Sequence, residues 1–452
     1  MSIELFAIGG YEECGKNMTA VKVDDQVIIM DMGIALDKLM LWGEEIKPVH
    51  ADELTRLGVL PNDELLNKYR GQVSAIIASH AHLDHIGAIG KLAKKYNAPI
   101  VGTPFTLGIV KETLKEEQDK PTKFMEMNAG EVLELGDIAI EFLHVTHSTP
   151  QTTFTALHTS EGIVFYANDY KFDNYQALEA PPDYKRLQKI GKEGVRAVIV
   201  ESVRVEEPTK TPSEVVAKEM LKDTLTQTLN DDAGILITCF SSHIERLNSI
   251  LEVAKKLGRN ICFCGSSLAK YTKVAEKCGI RNFSDEVEIY GRTKGRKRVL
   301  QEAAKHKKDY IFVVTGGQGE PNAVLSRIAN GEYDYKIGAG DEVIFSCSTI
   351  PNPSNIANRD SLESKLQFYG ARIFRDVHVS GHAGKEDHRD LINMLNPDHI
   401  IPCHGGLDKL SAYAKLASEI DKEHDSDKYL LGETVHLLRD GQRLEIPSKL
   451  KT

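Results

Sequence analysis

A cluster of potential metal ligands follows one apolar strand of this chain and limits the folds that the chain can adopt. The segment VSAIIASHAHLDH runs from an apolar stretch into a polar loop that carries His80, His82, Asp84 and His85. Imidazole nitrogens and carboxylate oxygens bind a divalent cation at roughly 2.0–2.2 Å. Four such groups within six residues cannot all reach one ion, but a loop can divide them between two ions. The fold therefore has to bring further ligands to the end of this strand.

Further potential ligands lie at the ends of other predicted strands. His147 follows IAIEFLHVT, Asp169 follows GIVFYAN, and His404 follows IIPC and precedes two glycines that let the backbone approach closely. We expect the Asp169 carboxylate to bridge two ions. Asp31, which ends VIIMD, is expected to orient a metal ligand by hydrogen bonding to it, without contacting an ion itself. Each residue taken singly is an ordinary polar strand end. Together with the cluster, they predict a site for two cations.

The order of the predicted elements divides the chain into a split domain and an insertion. Short strands with turns and helices between them fill the first half and fit an α/β sandwich of two sheets with outer helices. After Ser202, the prolines and mixed charge of VRVEEPTKTPSE indicate a crossover. Strands then alternate with helices, as in a parallel, doubly wound sheet. We predict a first domain at residues 1–205, an inserted domain at 206–368 and the second part of the first domain at 369–452.

Composition and charge argue against several classes of protein. The net charge of −10 argues against a protein that coats nucleic acid indiscriminately, but it is compatible with an enzyme that has a local basic channel. No apolar run approaches the roughly 20 residues of a membrane helix, and MSIELFAIGG carries no basic leader. The seven scattered cysteines do not form a disulfide framework, and Cys262 and Cys264 are expected to be buried thiols. We expect a cytoplasmic protein without membrane contact.

The ligand motifs resemble those of the metallo-β-lactamase fold superfamily. The residues that match its metal-ligand motifs are His80, His82, Asp84, His85, His147, Asp169 and, for its first aspartate, Asp31. The resemblance implies an αββα sandwich and two divalent cations per chain, with His404 as the last ligand. Histidine and carboxylate ligands without thiolate suit several metals. We expect Zn²⁺, with Mn²⁺ and Mg²⁺ as the alternatives.

The split arrangement is similar to the β-CASP subgroup of nucleic-acid hydrolases in that superfamily. Glu201 in IVES matches its acidic motif A, His382 in HVSGHA its motif B and His404 its motif C. The segments GGYEECGKNM, ANDYKFD, TGGQGEPNAVLSRIA, PNPSNIANR and HVSGHAGKEDH resemble the ribonuclease J family in its archaeal form, over nearly the whole chain. The resemblance implies an α/β fold in which a doubly wound β-CASP domain is inserted into the sandwich.

Catalytic and substrate-binding roles are predicted for further residues. Two cations roughly 3.5–4 Å apart polarise a phosphate and generate hydroxide near neutral pH. The departing ribose oxygen needs a proton, and His382 held by Glu201 is suited to supply it. Asp84 is a catalytic candidate as well as a ligand. Candidates for substrate binding lie beside His382 in HVSGH, in the glycine turn after YIFVVT, and where bacterial family members carry a Gly-Arg-Ser turn. These candidates are His378, Ser380, Gly317, Gln318, Ser266 and Ser267.

The predicted activity is metal-dependent hydrolysis of RNA, mainly as a 5′→3′ exonuclease that prefers 5′-monophosphate ends, in RNA decay and maturation. The resemblance also implies a homodimer. A mainly endonucleolytic RNA-processing enzyme of the same subgroup is the alternative. A small-molecule hydrolase of this fold, such as a thioesterase or lactonase, lacks the insertion and motifs A to C. A catalytically inactive RNA-binding subunit usually shows lost ligands, and no ligand is lost in this sequence.

Overall fold

Runs of β-branched and apolar residues form the strands of three sheets in this chain. The computed structural model describes residues 2–38, 49–116, 120–121, 123–227 and 232–448. Two of the sheets share one apolar core. The third sheet has an apolar cluster of its own on one face, and on its other face it shares the cluster that covers the outer face of the first sheet.

The first sheet has seven strands and contains both early and late parts of the sequence. Its strands are β1 (Ser2–Gly9), β2 (Met18–Val23), β3 (Gln26–Met30), β4 (Val73–Ala78), β5 (Ile100–Gly102), β6 (Phe124–Glu126) and β19 (Gln442–Pro447). They pair in the order β19-β1-β2-β3-β4-β5-β6. The pairing is antiparallel from β19 to β3 and parallel from β3 to β6.

The second sheet has six strands and is also completed by a late strand. Its strands are β7 (Val132–Leu135), β8 (Ile138–His144), β9 (Thr153–Thr159), β10 (Gly162–Ala167), β11 (Val195–Glu201) and β18 (His399–Cys403). They pair in the order β18-β11-β10-β9-β8-β7. The pairing is antiparallel from β7 to β10 and parallel from β10 to β18, where Glu201 is directly opposite Cys403.

The apolar core of the sandwich lies between these two sheets. Ile28 and Met30 of β3 share this core with Ile140 of β8, whereas Val27 and Ile29 belong to the cluster on the outer face of the first sheet. Successive side chains of a strand point to opposite faces, so a strand buried on both faces is apolar at every position.

Helices cover the outer faces of both sheets and complete the αββα layers. Four helices share the outer cluster of the first sheet: α1 (Ala51–Arg56), α2 (Leu83–Ile86), α3 (Ile89–Leu92) and α4 (Pro104–Thr113). Three share the outer cluster of the second sheet: α5 (Tyr184–Glu193), α12 (Lys385–Leu395) and α13 (Leu407–Glu423). Short 3₁₀ helices cover Glu64–Gln72, Ala93–Tyr96, Leu114–Glu116, Lys255–Leu257 and Lys307–Asp309.

The third sheet is wholly parallel and has six strands, in the order β14-β13-β15-β12-β16-β17. Its strands are β12 (Ile235–Thr238), β13 (Asn260–Cys264), β14 (Glu288–Tyr290), β15 (Tyr310–Val314), β16 (Glu342–Phe345) and β17 (Arg372–Phe374). The helices of this region are α6 (Glu214–Gln227), α7 (Ile244–Ala254), α8 (Ser266–Lys277), α9 (Thr293–Ala303), α10 (Val324–Ala329) and α11 (Pro353–Phe368). The predicted α/β class, a sandwich with an inserted doubly wound domain, is confirmed.

The predicted domain limits stay predictions, and one observation bears on the second of them. β17 pairs in parallel with β16 and therefore belongs to the third sheet, although it follows residue 368. We propose that the inserted domain extends past Phe374.

Two other expectations concern thiols and membranes. The seven cysteines, all in the described ranges, are free thiols, and Cys262 and Cys264 are buried in β13 as predicted. None of the helices in these ranges combines the length and apolar character needed to cross a membrane.

A buried network of charged side chains joins the inserted domain to the sandwich. Arg246 on α7 is fully buried and donates to both carboxylate oxygens of Glu214 on α6, at 2.9 and 3.0 Å. Nζ of Lys171, which follows β10, lies 3.3 Å from the same carboxylate. Burial raises the pKa of Glu214, but His243, Arg246 and Lys171 together hold it well below its usual value. The carboxylate is therefore charged and pairs with two buried cations, of which Lys171 also lies 3.3 Å from the Asp173 carboxylate.

Replacing Glu214 with alanine is expected to lower the free energy of unfolding by about 3–5 kcal/mol, because the buried Arg246 would lose its carboxylate partner and Lys171 would keep only Asp173. Denaturant unfolding of the wild-type chain and the variant measures this difference. Glu219→Ala is the control, since Glu219 lies on the same helix, is exposed and pairs with Lys222 at the surface. Similar losses in the two variants would contradict the role of Glu214.

Candidate metal centre

The predicted ligands meet at the carboxyl ends of strands from both sheets of the sandwich. His80 and His82 follow β4, His147 follows β8, Asp169 follows β10 and His404 follows β18. β8, β10 and β18 run in the same direction, so their carboxyl ends lie on one edge of the second sheet. Predicted ligands that are far apart in the sequence therefore lie close together in the structure.

Unusual backbone conformations occur where strands end at this site. Asp31, Asp169 and His404 have φ angles of 62°, 36° and 55°, in the left-handed region that residues with a Cβ atom seldom adopt. Such a conformation costs on the order of 1–3 kcal/mol and persists only where the surroundings hold it. Gly33 has a different constraint, because an added Cβ atom would lie 1.6 Å from the Asp84 carbonyl oxygen. The ligand loop thus packs directly against the backbone after β3.

A first ligand group consists of three histidines and one aspartate. His82 Nδ1 lies 3.1 Å from His80 Nε2 and 3.2 Å from His147 Nε2. Asp169 Oδ2 lies 3.4 Å from His80 Nε2 and 3.6 Å from His147 Nε2. A tetrahedral ion with bonds of about 2.0–2.1 Å has ligand atoms roughly 3.3–3.4 Å apart. The spacing of these four atoms therefore fits one tetrahedral cation.

A second ligand group shares Asp169 with the first. Asp84 Oδ2 lies 3.7 Å from His85 Nε2 and 3.5 Å from His404 Nε2. Asp169 approaches His85 through Oδ2 and His404 through Oδ1, each at 3.3 Å. The structure thus brings all seven predicted ligands together in two groups, with Asp169 between them. Their roles as ligands stay predictions.

Two of the ligand histidines make a hydrogen bond through Nδ1, the ring nitrogen that faces away from the other ligands. His85 Nδ1 donates to Asp31 Oδ2 at 2.7 Å, and His147 Nδ1 donates to the Gly381 carbonyl oxygen at 2.7 Å. A neutral ring that donates through Nδ1 keeps a lone pair on Nε2, the nitrogen that faces the other ligands. These partners therefore prepare Nε2 for a cation.

Asp31 also holds the start of the ligand loop. It accepts hydrogen bonds from the Ser79 backbone N–H and hydroxyl, both at 2.8 Å, and from the Tyr166 hydroxyl at 2.9 Å. The Ser79 hydroxyl in turn lies 3.0 Å from His80 Nδ1. The predicted supporting position of Asp31 thus has a geometric basis, which includes two hydroxyls that the sequence analysis did not select.

The first group has the protonation states that a cation requires. Burial, reinforced by neighbouring histidines, lowers the pKa values of His80, His82 and His147, so these rings are neutral. Three neutral imidazoles that converge with the Asp169 carboxylate fit a divalent cation. The other carboxylate oxygen, Asp169 Oδ1, is buried, faces His404 of the second group and has no well-aligned hydrogen-bond donor among the described residues.

Burial lowers the pKa of His85, but Asp169, Asp84 and Asp31 raise it to about 10, so His85 and His404 both differ from the three histidines of the first group. The Gly15 backbone N–H lies 3.0 Å from His404 Nδ1 and favours a proton on its Nε2, which faces Asp169. Burial lowers the pKa of His404, but Asp169 and Cys14 raise it well above the usual value. Each of these two rings therefore has to lose a proton when it binds a cation.

The predicted catalytic pair lies beside Asp169. His382 Nδ1 donates to Glu201 Oε2 at 3.0 Å, and Glu201 also accepts from the Tyr170 and Ala383 backbone N–H groups at 3.2 and 3.3 Å. Burial opposes the charged ring of His382, but Glu201 and Asp169 raise its pKa to about 9. The ring is therefore protonated at neutral pH. Nitrogen and carboxylate atoms of Asp169, Glu201 and His382 lie within 4.8 Å of one another.

One predicted substrate-binding residue contacts this pair, and a second contacts Arg246 of the buried charged network. The Ser380 hydroxyl accepts the His382 backbone N–H at 3.1 Å. His378 is partly buried, and its Nδ1 accepts from the Arg246 guanidinium at 3.2 Å. Burial, followed by Arg246, lowers the pKa of His378 to about 3, so its ring is neutral.

The glycine turn after β15 has a structural role that the sequence did not indicate. The Gln318 side chain donates to the Ser348 carbonyl oxygen and accepts from the Ile350 backbone N–H, each at 2.8 Å. An added Cβ atom at Gly317 would lie 2.5 Å from Cys347 Sγ. Both residues thus hold the loop after β16, and the Gln318 amide is occupied by backbone groups.

Two neighbouring serines of the inserted domain lie beside the metal centre. His82 Nε2 lies 3.1 Å from Ser242 Oγ, and the neighbouring Ser241 hydroxyl lies 2.9 Å from Ser267 Oγ. Ser266 is exposed at the start of α8. Ser241 and Ser242 are not among the site residues predicted from the sequence. Their position after β12 was the only signal, because ligands bind at the carboxyl ends of parallel strands.

Three families match consecutive parts of the chain. Residues 11–173 match the metallo-beta-lactamase superfamily. Residues 232–360 match the family described as Ribonuclease J, beta-CASP domain. Residues 371–426 match the Zn-dependent metallo-hydrolase RNA specificity domain.

Curated relatives match over nearly the whole chain. Ribonuclease J of Methanocaldococcus jannaschii is 45% identical over 449 residues, which cover 98% of this chain and 99% of the relative. Ribonuclease J of Pyrococcus abyssi is 45% identical over 454 residues, which cover 99% and 98%. Ribonuclease J2 of Bacillus subtilis is 29% identical and is covered over 77% of its length.

A solved structure from Enterococcus faecalis V583, described as a protein of unknown function, aligns with 99% of this chain and 100% of its own. The TM-score is 0.64 at 18% sequence identity, so the likeness shows the fold alone.

Proposed function

This chain belongs to the ribonuclease J family, and we propose that it hydrolyses RNA phosphodiester bonds with the help of two divalent cations. The observation that carries the proposal is the position of Asp169, which is shared by two ligand groups and borders the His382–Glu201 pair. Bound divalent cations polarise a phosphate and lower the pKa of a bound water. The remaining steps depend on side chains of the chain itself.

Each cation is assigned to one ligand group. For the first cation the ligands are His80, His82, His147 and Asp169, and for the second they are Asp84, His85, Asp169 and His404. We propose Zn²⁺ because the donors are imidazole and carboxylate, with Mn²⁺ and Mg²⁺ as alternatives. The Asp84 side chain is 17% exposed, more than Asp169 at 1%, and is therefore the carboxylate ligand accessible to substrate.

His382 is the proposed proton donor to the departing ribose oxygen. With a pKa of about 9, its ring carries two protons at neutral pH, one of which is bonded to Glu201. The other proton, on Nε2, is free to be transferred. Glu201 keeps the ring oriented and stabilises its charge before transfer.

The RNA is proposed to lie between the sandwich and the inserted domain. His378 and Ser380 alternate with His382 along HVSGH and are proposed to contact phosphate oxygens, to which a neutral imidazole and a hydroxyl can donate. Ser266 and Ser267, at the start of α8, are proposed to receive the 5′ end. Gly317 and Gln318 stay proposed RNA contacts through the backbone of the glycine turn, since the Gln318 side-chain amide is occupied by Ser348 and Ile350.

We expect RNA with a 5′-monophosphate to be degraded faster than 5′-triphosphate RNA, and circular RNA to be cut least. The reason is that a 5′→3′ exonuclease has to place a free 5′ end between the domains, where a triphosphate is bulkier. Digestion of one RNA, labelled separately at each end, measures the order of product release. A chelator-treated preparation is the control for contaminating nucleases.

Equal rates on monophosphate, triphosphate and circular RNA would contradict exonucleolytic action. The mainly endonucleolytic alternative would then replace it. Hydrolysis of thioester or lactone substrates without RNA cleavage would overturn the nuclease proposal itself. The homodimer, the cytoplasmic location and the role in RNA decay and maturation stay predictions.

A further inference from the structure

The inserted domain contacts the loop that carries the first ligand group at two points. Ser242, which follows β12, lies with its Oγ 3.1 Å from His82 Nε2. Tyr271 on α8 donates its hydroxyl to the Ala81 carbonyl oxygen at 3.1 Å. Ser242 is 8% exposed and Tyr271 is 6% exposed. Both contacts are therefore shielded from water and fix the segment between His80 and His82.

The second ligand group has its supporting contacts within the sandwich. His85 is held by Asp31 at 2.7 Å, and Gly15 contacts His404 at 3.0 Å. Asn17 Nδ2 lies 3.1 Å from His85 Nε2 and 3.3 Å from His404 Nδ1. Across the described ranges, the side-chain hydrogen bonds of these two rings all go to residues of the sandwich. The two cation positions thus differ in their dependence on the inserted domain.

His82 needs an acceptor on the inserted domain because of the nitrogen that it uses. It faces His80 and His147 through Nδ1, whereas these two rings use Nε2. A neutral imidazole that offers Nδ1 as a ligand carries its proton on Nε2, and this N–H has to donate to an oxygen when it is buried. The Ser242 hydroxyl is the oxygen within reach.

We propose that Ser242 is a positioning residue for His82, so that affinity for the first cation depends on contact between the inserted domain and the sandwich. This inference rests on the proposed function, because it concerns the same site. By linkage, the first cation and the closed arrangement of the domains stabilise each other. Any separation of the domains would therefore weaken one cation position and leave the other intact.

The test is a titration of the full-length, metal-free chain with Co²⁺, followed by its absorption spectrum and by calorimetry. The wild-type chain is expected to bind two ions. Ser242→Ala is expected to weaken one binding event by about 10–100-fold and to leave the other unchanged, since lost outer partners of metal ligands have effects of this size. Ser242→Thr keeps the hydroxyl and is expected to restore the affinity.

Ser241→Ala is the matched control, because Ser241 is the adjacent residue and its hydroxyl lies 2.9 Å from Ser267 instead of a ligand. It is expected to leave both Co²⁺ affinities unchanged. Tyr271→Phe removes the second contact while keeping the ring, and is expected to weaken the same single event. This variant keeps the inference testable if Ser242→Ala fails to fold.

Unchanged affinities in both Ser242→Ala and Tyr271→Phe would overturn the inference. Equal weakening of both Co²⁺ events, with a lower unfolding midpoint, would also overturn it, because general loss of structure does not select one position. A wild-type chain that binds two ions but does not cleave RNA would refute the proposed function and leave this inference standing.

Discussion

Replacement of Asp169 by alanine is expected to leave the chain with neither cation. Asp169 is the only residue that the two four-residue ligand groups share, and its oxygens lie 3.3–3.6 Å from four histidine nitrogens. Elemental analysis after metal saturation and gel filtration should change from two ions per chain to none. RNA hydrolysis should fall by at least about 10³-fold, because a catalytic cation contributes several kcal/mol and about 1.4 kcal/mol is tenfold in rate.

Asp390→Ala is the control for this substitution, since Asp390 is an exposed aspartate paired with Lys210 on the surface. It is expected to retain both ions. An Asp169→Ala chain that keeps one ion would show that Asp169 does not bridge. A saturated wild-type chain with at most one ion would refute the arrangement of two cations.

Replacement of His382 by alanine is expected to separate proton transfer from metal binding. His382 belongs to neither four-residue ligand group, and its Nδ1 is bonded to Glu201. The variant should therefore retain both cations and most of its RNA affinity. Its chemical rate should be lower by about 10²–10⁴-fold, the usual contribution of a positioned general acid. Single-turnover cleavage and metal content are measured on the same preparation.

His404→Ala is the informative comparison for His382→Ala. It is expected to weaken metal affinity and to recover part of its rate in excess metal. If His382→Ala loses metal, or is rescued by metal, then His382 is a ligand. This outcome has a physical basis, because His382, Glu201 and Asp169 have ligand atoms within 4.8 Å of one another. The two roles would then have to be reassigned.

The sequence predicts which residues form the site, but it does not predict how their backbones and side chains are arranged. His80 to His85 form a local pattern, and His147, Asp169 and His404 are recognisable because each follows an apolar strand. Strand periodicity identifies where a strand ends but does not determine the turn that follows. The left-handed conformations of Asp169 and His404, which help to aim their side chains, are therefore visible only in the structure.

Contacts between distant segments account for what the sequence did not predict. Gln318 lies in a glycine turn of the kind that binds phosphate, yet its amide is used by Ser348 and Ile350. Ser242 has no spacing relationship to His82 along the chain. β17, at Arg372–Phe374, is too short to show a period, so the predicted limit at residue 368 precedes it.

The parallel pairing of β11 with β18 delays the completion of the centre during protein synthesis. Glu201 lies opposite Cys403, but about 200 residues separate them, which take roughly 10–40 s to translate. Throughout that interval a nascent chain carries His80 to Asp169 without His404, and for most of it without His382. A ribosome still reading the message for the inserted domain thus holds a chain that lacks the proposed proton donor. The nascent chain itself carries all the predicted ligands only after His404, which follows β18, has been made.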